Sequence, residues 1–405
     1  MKYTKKIFKC LLSAVGAFFL LYTEVISSFP SEILMYLGVA HQKNLGAWVS
    51  IDNIPKNICV STDAKTVTPL KEGEYDASLK LGNIIPYKKV RLHITQPVSL
   101  CASGSLVGLR IYNDGLIVLK TDTIKCSDGT EISPSQQAGI EAGDVITEIN
   151  GTHPSESGDV EKLLTIGRNS LKLLRNNKEY TVVLYPAEEA GSGKLKIGTW
   201  IRDSTAGVGT MTYYNPQSLE YGALGHAIND SDTGLMFSVQ KGAIEKSKVV
   251  SVKKGTAGEP GEICGSFSSI GGIAGTVETN CETGIFGYLA PDSQMEGVSY
   301  PVGLIGQVKV GDAYILSTVD EGVKKYNIRI IRTMPFSTAA KGLMIKITDE
   351  ALIEKTGGIV QGMSGSPIIQ DGRLIGAVTH VLISNPTVGY GIYIENMLPE
   401  AEKVG

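Results

Sequence analysis

The chain has 405 residues, 42% apolar and 20% charged, with a formal net charge of −3. That length allows roughly two or three domains with sizeable cores, and the near-neutral balance argues against a nucleic-acid surface. The 47 glycines, more than one residue in nine, favour turn-rich β structure over helical bundles.

Lys2, Lys5, Lys6 and Lys9 precede an apolar run from Cys10 to Tyr22, and Glu24 follows it. This is the pattern of an export signal. The run is shorter than the roughly 20 residues a comfortable membrane span needs, so residues 1–29 read as a signal peptide or a membrane anchor. Beyond it stand Cys59, Cys101, Cys126, Cys264 and Cys281, an odd number with no C-x-x-C or histidine spacing for zinc. No metal or cofactor is expected. Cys264 and Cys281 flank a glycine-rich loop, and either a bridge between them or a pair of free thiols fits the sequence.

Residues 30–97 carry short β-like runs, "AWVSI", "NICVS" and "KKVRLHI", separated by Asn, Asp, Lys and Gly, and read as a small β module. The stretch Pro134 to Leu164 is more specific. Ala138-Gly139-Ile140, Gly143-Asp144 and the alternating Val145 to Gly151 give helix start, turn, strand and tight turn, with a helix after them. This order resembles a PDZ domain over residues 98–186. The resemblance implies that Val107, Gly108 and Leu109, placed before a strand, form the loop that binds a peptide carboxylate through backbone N–H groups. "AEEAGSGK", residues 187–194, has linker composition.

Residues 194–405 are rich in strand signals and glycine turns, the right size for a double β-barrel or a sandwich. Within them, Gly362, Ser364, Gly365, Ser366 and Pro367 crowd around one serine ahead of an apolar hairpin. Glycine weakens a packed strand, but a nucleophile needs a tight turn that presents its hydroxyl while neighbouring N–H groups converge on an oxyanion. Ser364 is the candidate nucleophile, with the backbone donors of Gly362 and Ser364 as the oxyanion hole. Of the histidines at 41, 93, 153, 226 and 380, only His226 and His380 share this segment with Ser364. His226 lies between an apolar turn and a polar loop and is the candidate general base, because imidazole titrates in the useful range. His380 follows Ser364 in a hairpin strand, where a structural or substrate-subsite role suits it better.

The run from Gly362 to Pro367, with "IIQ", the Asp371-Gly372 turn and "RLIGAVTH", resembles the nucleophile loop and hairpin of chymotrypsin-like peptidases, departing from the usual pattern at Met363 and Ser366. With "RDSTAGVGTMTYY", "YGALGHAI" and "TGGIVQGMSGSPII", and with the PDZ-like segment ahead of them, the chain resembles the stage IV sporulation protein B family of signalling serine peptidases from endospore-forming bacteria. HtrA-type peptidases have the reverse domain order. The expected architecture is mainly β: signal or anchor, small β module, PDZ domain, and a chymotrypsin-like double β-barrel serine peptidase domain.

The resemblance implies an exported endopeptidase of the forespore membrane or intermembrane space. It implies a membrane-bound regulator of an intramembrane protease as protein substrate, an inhibitor protein, self-cleavage, and activation of a mother-cell sigma factor. The residues alone reach an exported serine endopeptidase with a peptide-binding module, and a catalytically idle PDZ scaffold or an HtrA-like quality-control protease are the alternatives. For the triad acid, Asp230, Asp232, Asp292, Asp312, Asp320 and Asp349 all fall between His226 and Ser364, and spacing does not choose. Asp349 also suits a helix N-cap. The family resemblance places the acid at Asp349, at a strand end shortly before the nucleophile loop.

Overall fold

The computed structural model describes residues 31–43, 49–55, 57–61, 65–81, 85–267, 272–335, 337 and 340–402. The signal or anchor expected over residues 1–29 lies outside them. Among the described residues, no helix is long and apolar enough to cross a membrane. Of the described residues, strand makes up 55% and helix 7%, as expected for a mainly β chain.

The first unit is a small β sheet. Its strands run in the order Glu32–Tyr36, Ile85–Thr95, Gly73–Leu81, Val49–Asp52, and only the first pair is parallel. Val90, Leu92 and Ile94 alternate inward onto Met35, Ile51 and Leu79, the period-two pattern of a sheet with one buried face. Tyr36 leaves this core and packs with Leu100, Leu374 and Ile394 of the last unit.

A second small core collects Leu116, Val118, Ile146, Leu171, Leu173, Leu184 and Ile197. Around it lie helices Pro134–Gln137 and Asp159–Leu163 and strands Val145–Ile149, Asn169–Arg175 and Lys178–Leu184. Asn176 and Asn177, with φ of 51° and 59°, make the two-residue turn that sets Arg175 opposite Lys178. Asp144 of the Gly-Asp pair is fully buried and takes the Arg175 guanidinium on both oxygens, with Nη2 2.7 Å from Oδ2. A fork-on-carboxylate pair of this kind adds geometric specificity to charge neutralisation.

The expected boundary at residue 98 does not hold. Ser99–Ala102 and the first half of Leu106–Thr121 belong to the sheet of the peptidase half, where Val107, Leu109 and Ile111 pack with Met211, Tyr221, Phe237 and Ile244. The strand passes from this core to the small one at Gly115, whose φ is 98° and where a Cβ would stand 2.8 Å from the Ile146 carbonyl oxygen. Val107, Gly108 and Leu109 are therefore not a loop. They pair with Gly209, Val208 and Gly207 on one side and with Lys246, Glu245 and Ile244 on the other. With both edges taken, these residues offer no N–H row to a peptide. A loop and a doubly paired inner strand can carry the same Val-Gly-Leu sequence.

The long strand Thr199–Tyr214 runs beside Leu106–Thr121 through both units. It continues the peptidase sheet through Glu220–Ala223, Gly284–Tyr288 and Thr279–Cys281. Residues 311–393 then close a barrel in the ring order Gly311–Asp320, Gly322–Thr333, Leu343–Ile347, Asn385–Tyr393, Arg373–Leu382, Pro367–Gln370. Ile315, Ile328, Ile330, Leu343, Ile345 and Ile368 fill its interior, each burial contributing about 1.5–3 kcal/mol. All five cysteines among the described residues are free thiols, so no bridge joins Cys264 to Cys281.

Candidate active site

The nucleophile loop is built by its glycines. Helix Glu350–Thr356 ends at Gly357, in the left-handed conformation, and the chain then runs past Gly261 and Ile263 before turning. Gly362 and Gly365 have φ of 96° and 95°, a region that a side chain disfavours. A Cβ on Gly365 would also lie 2.0 Å from the Thr210 carbonyl oxygen. The loop is pinned onto strand Thr199–Tyr214: Thr210 N donates to Ser364 O at 2.9 Å, and the Thr210 and Thr212 hydroxyls donate to Gly362 O and Gly365 O at 2.7 and 2.8 Å. Met363 is fully buried in the barrel core, and Ser366 is fully buried with its hydroxyl 2.9 Å from that of Ser317. Both departures from the usual pattern thus serve packing. Ser364 alone of the two serines reaches the surface, half-buried, and its Oγ donates to Thr379 O at 2.7 Å.

The N–H groups of Met363 and Gly365 are taken by Val360 O and Val378 O. Those of Gly362 and Ser364 have no acceptor among the described residues. Backbone donors with no internal partner beside a serine hydroxyl are what a developing oxyanion requires.

His226 arrives on a strained turn. Leu224 and Gly225 have φ of 65° and 72°, and a Cβ on Gly225 would meet Ile392 and Thr379 at 2.9 and 3.0 Å. This close approach seats the histidine loop against the barrel strand whose Thr379 carbonyl holds Ser364. Nδ1 of His226 stands 2.8 Å from Ala227 O. A carbonyl only accepts, so Nδ1 carries the hydrogen and Nε2 keeps its lone pair, the tautomer a general base needs. Burial lowers the pKa of His226, with the Ala227 hydrogen bond opposing it, so the ring is neutral at pH 7. His380 faces it with ring centroids 5.0 Å apart. Its own pKa is pushed down to about 4 by burial and by the nearby His226 and Lys341.

Asp349 is held elsewhere. Its Oδ1 accepts the Leu352 N–H as the N-cap of helix Glu350–Thr356, and Oδ2 accepts the Asn327 N–H, both at 3.1 Å. The other acids are also engaged away from His226: Asp230 and Asp232 on Arg202, Asp312 on Arg329, and Asp320 on Lys355, while Asp292 is exposed. Among the described residues, the hydrogen-bond partner of His226 Nδ1 is a backbone carbonyl and not a carboxylate.

Sequence reasoning missed Asn280. This buried side chain accepts the Ile228 N–H on Oδ1 and donates Nδ2 to Ile228 O and Phe237 O, each at 2.8 Å. The Ile228 N–H and the Ala227 C=O belong to one planar peptide, so Asn280 fixes the plane on which His226 rests. No local signal marks it, because the contact spans 52 residues.

A match to the family described as SpoIVB peptidase S55 spans residues 193–398. The chain belongs to this family. It is a serine peptidase by that membership, and the glycine-turn serine and neutral histidine lie inside the matched segment. Among solved structures, the chain is similar to the Rv3671c protease of M. tuberculosis in its active form, at 14% identity and a TM-score of 0.28, covering 50% of this chain and 75% of that one. It is also similar to the HtrA-type protease AlgW with decapeptide, at 12% identity and a TM-score of 0.31, covering 75% of this chain and 65% of that one. No curated protein matches it.

Proposed function

We propose that this serine peptidase cuts peptide bonds with Ser364 as nucleophile, His226 as general base, and the Gly362 and Ser364 N–H groups as oxyanion donors. The observation that carries this is the pair of N–H groups without acceptors among the described residues, in the glycine turn that presents the half-buried Ser364 hydroxyl. With substrate bound, the hydroxyl turns from Thr379 O to His226 Nε2. Oγ then bonds to the scissile carbonyl carbon as its proton passes to Nε2, and Nε2–H gives that proton to the amine nitrogen as the C–N bond breaks with its electron pair on that nitrogen. Water repeats the sequence on the acyl-enzyme and frees Ser364.

Family membership supports the biological reading. The peptidase is exported through its N-terminal segment to the forespore membrane or intermembrane space, cleaves a membrane-bound regulator, and so activates intramembrane processing of a mother-cell sigma factor precursor. An inhibitor protein and self-cleavage belong to the same reading. The PDZ-like unit is kept as a domain, but Val107, Gly108 and Leu109 are not its peptide-binding residues, since both of their edges are paired.

A fluorophosphonate probe tests the chemistry. The wild-type protein is expected to be labelled on Ser364, and Ser364→Ala to abolish labelling with its melting temperature nearly unchanged. Labelling that persists in Ser364→Ala, or its absence in the wild type, would remove the assignment.

A further inference from the structure

Two long strands, Leu106–Thr121 and Thr199–Tyr214, cross from the small unit into the peptidase sheet, and Arg202 lies where they cross, paired with Ile117. Its backbone neighbours belong to the small unit. Ile201 packs against the small core, and the Asp203 carboxylate accepts the Ser157 N–H at 2.7 Å. Its guanidinium reaches the other way. Nη1 bonds the Asp230 carboxylate and Nη2 lies 2.8 Å from Asp232 Oδ2.

Asp230 has no exposed side-chain surface. Its Oδ1 gathers the loop after His226, accepting Asp232 N at 3.1 Å, Thr233 N at 2.8 Å and Thr233 Oγ1 at 2.9 Å. Its own N–H and C=O close the loop on Leu235 and Gly234. Two residues earlier is Ile228, whose peptide with Ala227 orients His226. The guanidinium is therefore the counter-charge of a buried carboxylate that organises the loop holding the base. A buried carboxylate left without its partner cannot keep that arrangement, because the desolvated charge must draw in water or rearrange.

We propose that Arg202 is a positioning residue for the peptidase reaction: from the strand shared with the small unit it clamps Asp230 and so fixes the loop that sets His226. The small unit is then a brace for the base as well as a separate domain. This rests on the reading of Ser364 and His226 as nucleophile and base.

The test is the rate of fluorophosphonate labelling of Ser364 in the full chain as a function of pH, measured well below each variant's melting temperature. Arg202→Ala is expected to slow labelling, by up to about 10²-fold if the base is displaced by an ångström. It should also move the acid limb of the profile upward toward the ordinary histidine value of about 6.5, as water reaches the ring. His380, whose ring centroid is 5.0 Å from that of His226, and Lys341, which acts on His380, are left unchanged in these variants. Arg202→Ala with Asp230→Asn removes the stranded charge and is expected to recover most of the rate. Arg202→Lys keeps the charge without the fork, should fall between, and decides the matter if Arg202→Ala does not fold. An Arg202→Ala or Arg202→Lys protein that labels at the wild-type rate with an unmoved acid limb would overturn the proposal, as would a double variant no better than Arg202→Ala. Unlabelled wild-type protein would instead count against the peptidase reading itself.

Discussion

Asn280 grips Ile228 from both directions, taking its N–H and donating to its carbonyl, each at 2.8 Å. The Ala227–Ile228 peptide cannot rotate without breaking one of these bonds, and His226 Nδ1 depends on the Ala227 end of it. Asn280→Ala is expected to leave the Ile228 N–H and the buried Phe237 carbonyl without this partner, at about 1–3 kcal/mol for a fully buried group, while Ile228 O keeps the Phe237 N–H; it is also expected to lower the labelling rate of Ser364 at temperatures where the variant stays folded. Asn280→Asp is the sharper variant. It keeps an acceptor for Ile228 N but turns an oxygen toward two carbonyls, so it is expected to be no more active than Asn280→Ala at neutral pH. Wild-type labelling in Asn280→Asp would show that the peptide plane does not need this side chain.

Asp349 separates two roles that one sequence position serves equally well. As an N-cap, its carboxylate holds Leu352 N and Asn327 N at 3.1 Å each. Asparagine caps nearly as well but has one acceptor oxygen for the two N–H donors, so Asp349→Asn is expected to keep the labelling rate while giving up the hydrogen bond to Asn327 N, whereas Asp349→Ala should also lose about 1 kcal/mol of stability from the cap. A triad acid behaves differently. It orients the histidine and stabilises the imidazolium, and its conversion to an amide slows the reaction by about 10⁴-fold in a folded enzyme. A fall of that size in Asp349→Asn, with melting unchanged, would mean that the carboxylate leaves Leu352 and Asn327 for His226 in the working enzyme.

The parts of the site visible in the sequence are those whose backbone demands leave a trace. Gly362 and Gly365 both have φ near 95°, a region side chains disfavour, and at Gly365 a Cβ would also lie 2.0 Å from Thr210 O, so a glycine-bracketed serine stands out in one dimension. The hairpin after it is a near-continuous apolar run, as strands buried along most of their length are. What the sequence hides is long-range. Val107, Gly108 and Leu109 suit a loop or an inner strand, and only their pairing with residues near 208 and 245 decides it. The same holds for Asn280 and Arg202, whose partners Ile228 and Asp230 are 52 and 28 residues away. Asp349 is ambiguous for another reason, since both a cap and a triad acid select a short carboxylate at a strand end.

The pH dependence of stability should expose two buried groups that act with opposite sign. Glu395 opens helix Ile394–Glu402, and its carboxyl accepts the Ile305 N–H at 2.7 Å beside the buried Tyr393. Burial pushes its pKa up to about 7, against 4.5 for the free side chain. Between these values the unfolded chain releases a proton that the folded one retains, so stability is fully present below about 4.5 and is lost as pH rises through 7. His380 does the reverse. Its pKa falls from 6.5 to about 4, so on acidification the unfolded chain binds a proton first, and stability drops as pH falls from 6.5 toward 4. Glu395→Gln keeps an oxygen for Ile305 N and cannot ionise. Its melting temperature is expected to match the wild type near pH 4.5, rise above it as pH increases, and hold a constant lead beyond pH 7. His380→Gln should flatten the acid side alone, which is read from the slope of melting temperature against pH, because the substitution also changes packing. A Glu395→Gln difference that stays constant from pH 4.5 to 8 would show that the carboxyl is already ionised in the folded protein.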